Sequence, residues 1–170
     1  MKYMSIDSAL PSGALRALAK PSLAILFAAL VACGPSPADT GTACPDPDPG
    51  TLTWENFGEP FMTKYCTWCH DSSLTRSKRH GAPLYHDYNT LLGVLKTPNH
   101  IDQQAGAGPE ATNDFMPPDR CPSSLGGPLD KNCAKPTLAE RRQLAEWIAC
   151  ERNRPHDFTD AGVDAAVDAQ

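Results

Sequence analysis

Residues 66–70 read Cys66-Thr67-Trp68-Cys69-His70. The run brings two thiols and an imidazole together within five residues. Thiols at this spacing can add across the two vinyl groups of a haem, and the adjacent imidazole can then ligate the iron from one face. A Cys-x-x-Cys pair without the histidine would fit thioredoxin-like redox chemistry or zinc binding equally well. A zinc site needs a second Cys/His pair at close spacing, and the other cysteines are scattered singly. A thioredoxin-like site needs a βαβ context, and none is legible. A plain disulfide between the two thiols is the remaining alternative. Covalent haem is the chemistry the motif favours.

Helical stretches are legible on both sides of this motif. Phe57, Phe61 and Tyr65 recur at i, i+4 and i+8. That spacing predicts one apolar face of a helix beginning near Gly58 or Glu59, with Pro60 in its first turn, and running into Cys66. A second helix is expected over residues 88–96, with Asp87 as its N-cap and Leu91, Leu92 and Leu95 facing inward. Pro98 interrupts it, and a short helix restarts there with Thr97 as cap and ends at Gly106. The last helix has the clearest start. Thr137-Leu138-Ala139-Glu140 is a capping box behind Pro136. Leu138, Arg141, Leu144, Ala145, Ile148 and Ala149 follow at helical spacing, with Trp147 beside the stripe. Strand signals are almost absent. The expectation is an all-α domain of three to five short helices joined by long loops. The longest irregular stretch, residues 107–135, carries Met116 beside Pro117 and Pro118, then Cys121 and Cys133. A loop of that length in a small domain is usually functional or stapled.

The N-terminus bears on compartment. Lys2, Arg16 and Lys20 precede an apolar run of 11 residues, Ser22 to Ala32. The run is too short to span a bilayer and fits a signal-peptide core. It ends in Leu30-Val31-Ala32-Cys33, which resembles the lipobox of bacterial lipoproteins. That resemblance implies cleavage after residue 32 and a lipid on Cys33. Residues 33–50, rich in Pro, Gly and Asp, are expected to form a semi-extended tether. Residues 51–154 are large enough for one domain. Residues 155–170 form an acidic, small-residue tail expected to be disordered.

The chain has 15 basic and 20 acidic residues, a net charge of −5. That balance argues against a nucleic-acid partner. Of seven cysteines, lipid would take Cys33 and haem Cys66 and Cys69. The four left suggest two disulfides in an oxidising compartment. Three connectivities exist. The preferred one closes the short Pro/Gly loop with Cys121–Cys133 and ties Cys44 to Cys150.

Taken together, the chain from about Trp54 to Cys150 resembles the class I c-type cytochromes. The order is an N-terminal helix, Cys-x-x-Cys-His, a Gly/Pro loop, middle helices, a methionine loop, and a last helix with a central aromatic. The resemblance implies a cytochrome c-like bundle around one covalent haem c, a carrier of single electrons and not an enzyme. It assigns Cys66 and Cys69 to the thioethers, His70 to the proximal ligand and Met116 to the distal one, with His100 a lesser candidate. Gly81-Ala82-Pro83-Leu84 is similar to the family loop in which a proline carbonyl, here that of Pro83, accepts the proximal imidazole N–H. Trp68 would cover the ring edge or stand exposed. Arg76-Ser77-Lys78-Arg79-His80 reads as a solvated basic loop, or as a patch that steers acidic redox partners of the cell envelope. The protein would face the periplasm or the exterior, held to the membrane by its lipid. A rival reading is a haem-based ligand sensor or peroxidase-like enzyme with an open sixth iron position.

Overall fold

The computed structural model describes residues 37–158. The expected leader and the lipid site Cys33 lie outside the described residues, as does the tail beyond residue 158. Thr53 begins the helical part. Its hydroxyl accepts from Asn56 N while the Asn56 side chain returns to Thr53 N, a capping box that opens a π-helical turn, Trp54–Gly58. Helix α1, Glu59–Tyr65, continues from it with Pro60 in the first turn, where the missing N–H costs nothing. A 3₁₀ turn, Arg76–Arg79, follows the Cys-x-x-Cys-His loop. Helix α2 is Leu91–Lys96, α3 is Pro98–Ala105 and α4 is Leu138–Glu151.

Between α3 and α4 the chain makes a small antiparallel sheet, β1 Arg120–Pro122 and β2 Leu129–Asn132. The fold therefore mixes helix and strand and is not the expected all-α bundle. The strands escaped the sequence reading for a physical reason. At three and four residues they are too short to show a period-2 pattern. The hairpin is stapled by the Cys121–Cys133 disulfide, and of its strand residues only Cys121 and Pro122 are buried.

One apolar cluster packs the helices together. Phe61, Met62 and Tyr65 of α1 meet Val94 of α2, Ile101 and Ala105 of α3, and Leu144, Trp147 and Ile148 of α4. Trp147 is fully buried, at the centre of the core and not beside it. Its ring lies 6.2 Å from Trp54 and 6.0 Å from Phe57. A Cβ on Gly58 would come within 2.4 Å of that ring, so glycine is needed for this close approach. Leu138, expected on the inner stripe of α4, is instead exposed.

The Pro/Gly/Asp-rich stretch does not stand free of the domain. Thr40 is 1% exposed, and both its N–H and its hydroxyl donate to the Asp102 carboxylate on α3, at 2.9 and 2.8 Å. Cys44 is bonded to Cys150 on α4, and Asp48 pairs with Arg154 at 2.6 Å. Polar bonds and a disulfide do here what apolar side chains do elsewhere. The start of the expected tail is also attached, with His156 Nε2 2.8 Å from the Glu151 carbonyl.

Thr137 caps α4 as its motif implies, and Glu140 does more than return to the cap. Its carboxylate accepts from Thr137 N at 2.7 Å, from the Tyr65 hydroxyl at 2.7 Å and from Lys64 Nζ at 3.2 Å. These donors, the Thr137 N–H first, hold the carboxyl down at about 2, against an ordinary 4.5. A depressed carboxylate contributes stability above its unfolded value and loses it as pH falls through the folded one. Glu140→Gln should cost about 1 kcal/mol at neutral pH, because neutral bonds replace charge-assisted ones. Thermal melts of both proteins should converge between pH 4.5 and about 2. A difference that stays constant across that range would contradict the assignment.

Candidate functional site

A cavity of about 470 Å³ lies between the Cys-x-x-Cys-His loop, α3 and the methionine loop. That volume falls within the range of roughly 300–1,000 Å³ common to cofactor sites. Cys66, Cys69, His70 and Met116 all line it, and so do Trp68, Pro83 and His100. The residues that the cytochrome resemblance brings together thus line one cavity.

The two thiols are free and partly buried. Burial pushes Cys66 up to about 12 and raises Cys69 as well, so both are neutral in the folded chain. His70 is held on several sides. Its Nδ1 lies 3.1 Å from the His86 carbonyl, which can only accept, so Nδ1 carries the proton. Nε2 has no hydrogen-bond partner among the described residues and keeps its lone pair. Burial, ahead of the opposing His86 bond, pushes the imidazole down to about 4 and keeps it neutral. Tyr88 stacks on the ring at 4.5 Å between centroids and 18° between planes, and its N–H donates to the His70 carbonyl at 2.7 Å.

The expected partner of His70 was the Pro83 carbonyl. That carbonyl instead accepts from Arg79 Nη2 at 2.8 Å, and the His86 carbonyl takes the imidazole N–H. The reason is the path of the loop. His80, Gly81 and Tyr85 all adopt positive φ, which turns the later carbonyl of His86 toward His70. Asp87 likewise does not cap α2. It pairs with Arg79 at 2.7 Å, and Thr90 caps the helix by accepting from Gly93 N.

Arg79 departs furthest from its expected place. It was grouped with a solvated basic loop, yet it is 2% exposed and lines the cavity. Its guanidinium reaches the carbonyls of Asp71, Ala82, Pro83 and His86 and the Asp87 carboxylate. Arg76 and Lys78 do remain exposed.

A second buried arginine holds the methionine side. Arg141 Nη1 lies 2.9, 2.9 and 3.0 Å from the carbonyls of Ala105, Asn113 and Met116. Met116 N–H donates to the Gln104 carbonyl at 2.9 Å, which fixes the loop to α3. Met116 is 37% exposed and so is not a core methionine like Met62. The place of Arg141 on the apolar stripe of α4 is the one signal in the sequence that it is buried. Among the other sequence candidates, His100 sits exposed on α3 with its ring 4.8 Å from that of His86. Trp68 is half-buried, with Lys131 Nζ 4.2 Å above its ring.

The donor set fits haem. Two free thiols, one neutral imidazole with an available Nε2 and one thioether line a single cavity. A zinc ion would need three or four ligands drawn together, and Cys66 and Cys69 belong to no such group among the described residues. Among the described residues, Cys44, Asp48 and Cys150 also gather ligand-type atoms, but both sulfurs are spent in a disulfide. No helix among the described residues is long and apolar enough to cross a membrane. In comparison with known proteins, no family model, curated protein or solved structure matches the chain.

Proposed function

We propose that this chain is a monohaem c-type cytochrome, lipid-anchored through Cys33, that passes single electrons between redox proteins of the cell envelope. The observation that carries the reading is the cavity lined at once by Cys66, Cys69, His70 and Met116. Haem, when bound, supplies a one-electron iron couple. The chain's own residues do the rest. Cys66 and Cys69 would hold the group by thioethers. His70 would ligate through Nε2, its ring fixed by Tyr88 and by the His86 carbonyl. That bond to Nδ1–H sets the tautomer and raises the ligand's basicity. Met116 would supply a soft thioether, which favours the ferrous state and a higher potential. Arg141 and Gln104 hold its backbone in place beside the cavity.

Met116→Ala in the haem-loaded protein tests the carrier against the open-site rival. Wild type is expected to be low-spin and indifferent to CO. The variant should turn high-spin, bind CO and fall in reduction potential. A wild-type protein that is already high-spin and binds CO would overturn the carrier reading in favour of a ligand sensor or peroxidase-like enzyme.

A further inference from the structure

Arg79 stands in an unusual place for a buried cation. All five N–H groups of a guanidinium can donate, and here its three nitrogens reach four backbone carbonyls and one carboxylate. One of those carbonyls matters more than the others. The His86 oxygen accepts from His70 Nδ1 at 3.1 Å and from Arg79 Nη2 at 3.0 Å. The bond that orients the imidazole is therefore shared with a fixed positive charge. Resting on the haem reading above, we propose that Arg79 is a positioning residue that sets the reduction potential of the site through the His86 carbonyl.

Three consequences of removing the cation have the same sign. A carbonyl relieved of Arg79 accepts more strongly from Nδ1–H, which makes the imidazole a stronger donor to iron and favours the ferric state. Loss of a buried positive charge beside the site also favours ferric iron, because Coulomb terms are weakly screened there. Asp87 is then left as an uncompensated anion, with the same effect. Removing Asp87 instead leaves Arg79 uncompensated, which acts in the opposite direction. A residue that merely braced the loop would give no such opposition. Breaking either side of the 2.7 Å ion pair would loosen the same loop and move the potential the same way.

The test is a potentiometric titration of haem-loaded wild type, Arg79→Gln, Arg79→Lys and Asp87→Asn. Arg79→Gln should shift the equilibrium toward ferric by about tenfold, which is ~59 mV for a one-electron couple. Arg79→Lys keeps the charge but not the fork, and should recover at least half of that shift on a logarithmic scale. Asp87→Asn should shift the equilibrium toward ferrous, by about threefold or more. If Arg79→Gln does not fold, a shift of Asp87→Asn toward ferrous with Arg79→Lys within about threefold of wild type supports the role, and a shift of Asp87→Asn toward ferric overturns it. Potentials within twofold of wild type in every variant that folds, or shifts of the same sign in Arg79→Gln and Asp87→Asn, would overturn the role of Arg79 and leave the haem reading intact. A wild-type protein without covalent haem would overturn both.

Discussion

If the chain carries covalent haem as proposed, replacing Cys66 and Cys69 together with alanine should abolish the haem stain expected of wild type on a denaturing gel. The loss should be complete because the described residues offer no other free thiol. Cys44, Cys121, Cys133 and Cys150 are bound in disulfides, and only Cys66 and Cys69 remain free among the described residues. Either single variant keeps one attachment point and should retain part of the stain. The state of the thiols says when attachment takes place. In the folded chain Cys66 is pushed up to about 12 by burial, which leaves it protonated and a poor nucleophile. Thioether formation on this reading belongs to a chain whose motif is still exposed and whose thiols sit at their ordinary values. Full haem stain in the double variant would remove the ground for the proposal.

The second large effect is on stability. Replacing Cys44 and Cys150 together with serine should destabilise the protein by about 4–5 kcal/mol, because the bond closes a span of 106 residues and constrains most of the unfolded chain. For a domain near 100 residues that corresponds to a drop in Tm of roughly 20 °C or more. The same change at Cys121 and Cys133, 12 residues apart, should cost nearer 3 kcal/mol. The larger loss also frees the segment around Thr40, whose bonds to Asp102 stand close to the methionine loop. Asn113 there donates to the Ala38 and Asp102 carbonyls. Equal melting temperatures for wild type and the Cys44/Cys150 variant would contradict this account of how the N-terminal segment is held.

The parts legible in the sequence are those fixed by local chemistry. The capping box at Thr137 and Glu140 specifies a helix start within four residues, and α4 begins there. Pro60 and Pro98 sit in first turns because proline tolerates few other helical places. The motif residues and Met116, which the cytochrome resemblance pairs, line one cavity. What escaped the reading depends on distant backbone groups. Nothing in the residue types says that the His86 carbonyl, and not that of Pro83, faces His70; positive φ at His80 and Tyr85 decides it. Arg79 looked solvated because a run of basic residues usually is, and its partners are mostly carbonyls, which carry no side-chain signature. The segment around Thr40 looked like a tether because it lacks apolar residues, and it is bound by polar groups instead. The strands were too short for any periodicity to register.

The central claim, that Cys66, Cys69 and His70 hold a haem, is tested most directly by the mass of the purified mature protein taken together with its visible spectrum. The proposal predicts a mass one haem above that of the lipidated chain with two disulfides, and a low-spin spectrum. A mass without haem, with Cys66 and Cys69 as thiols or joined to each other, would contradict it.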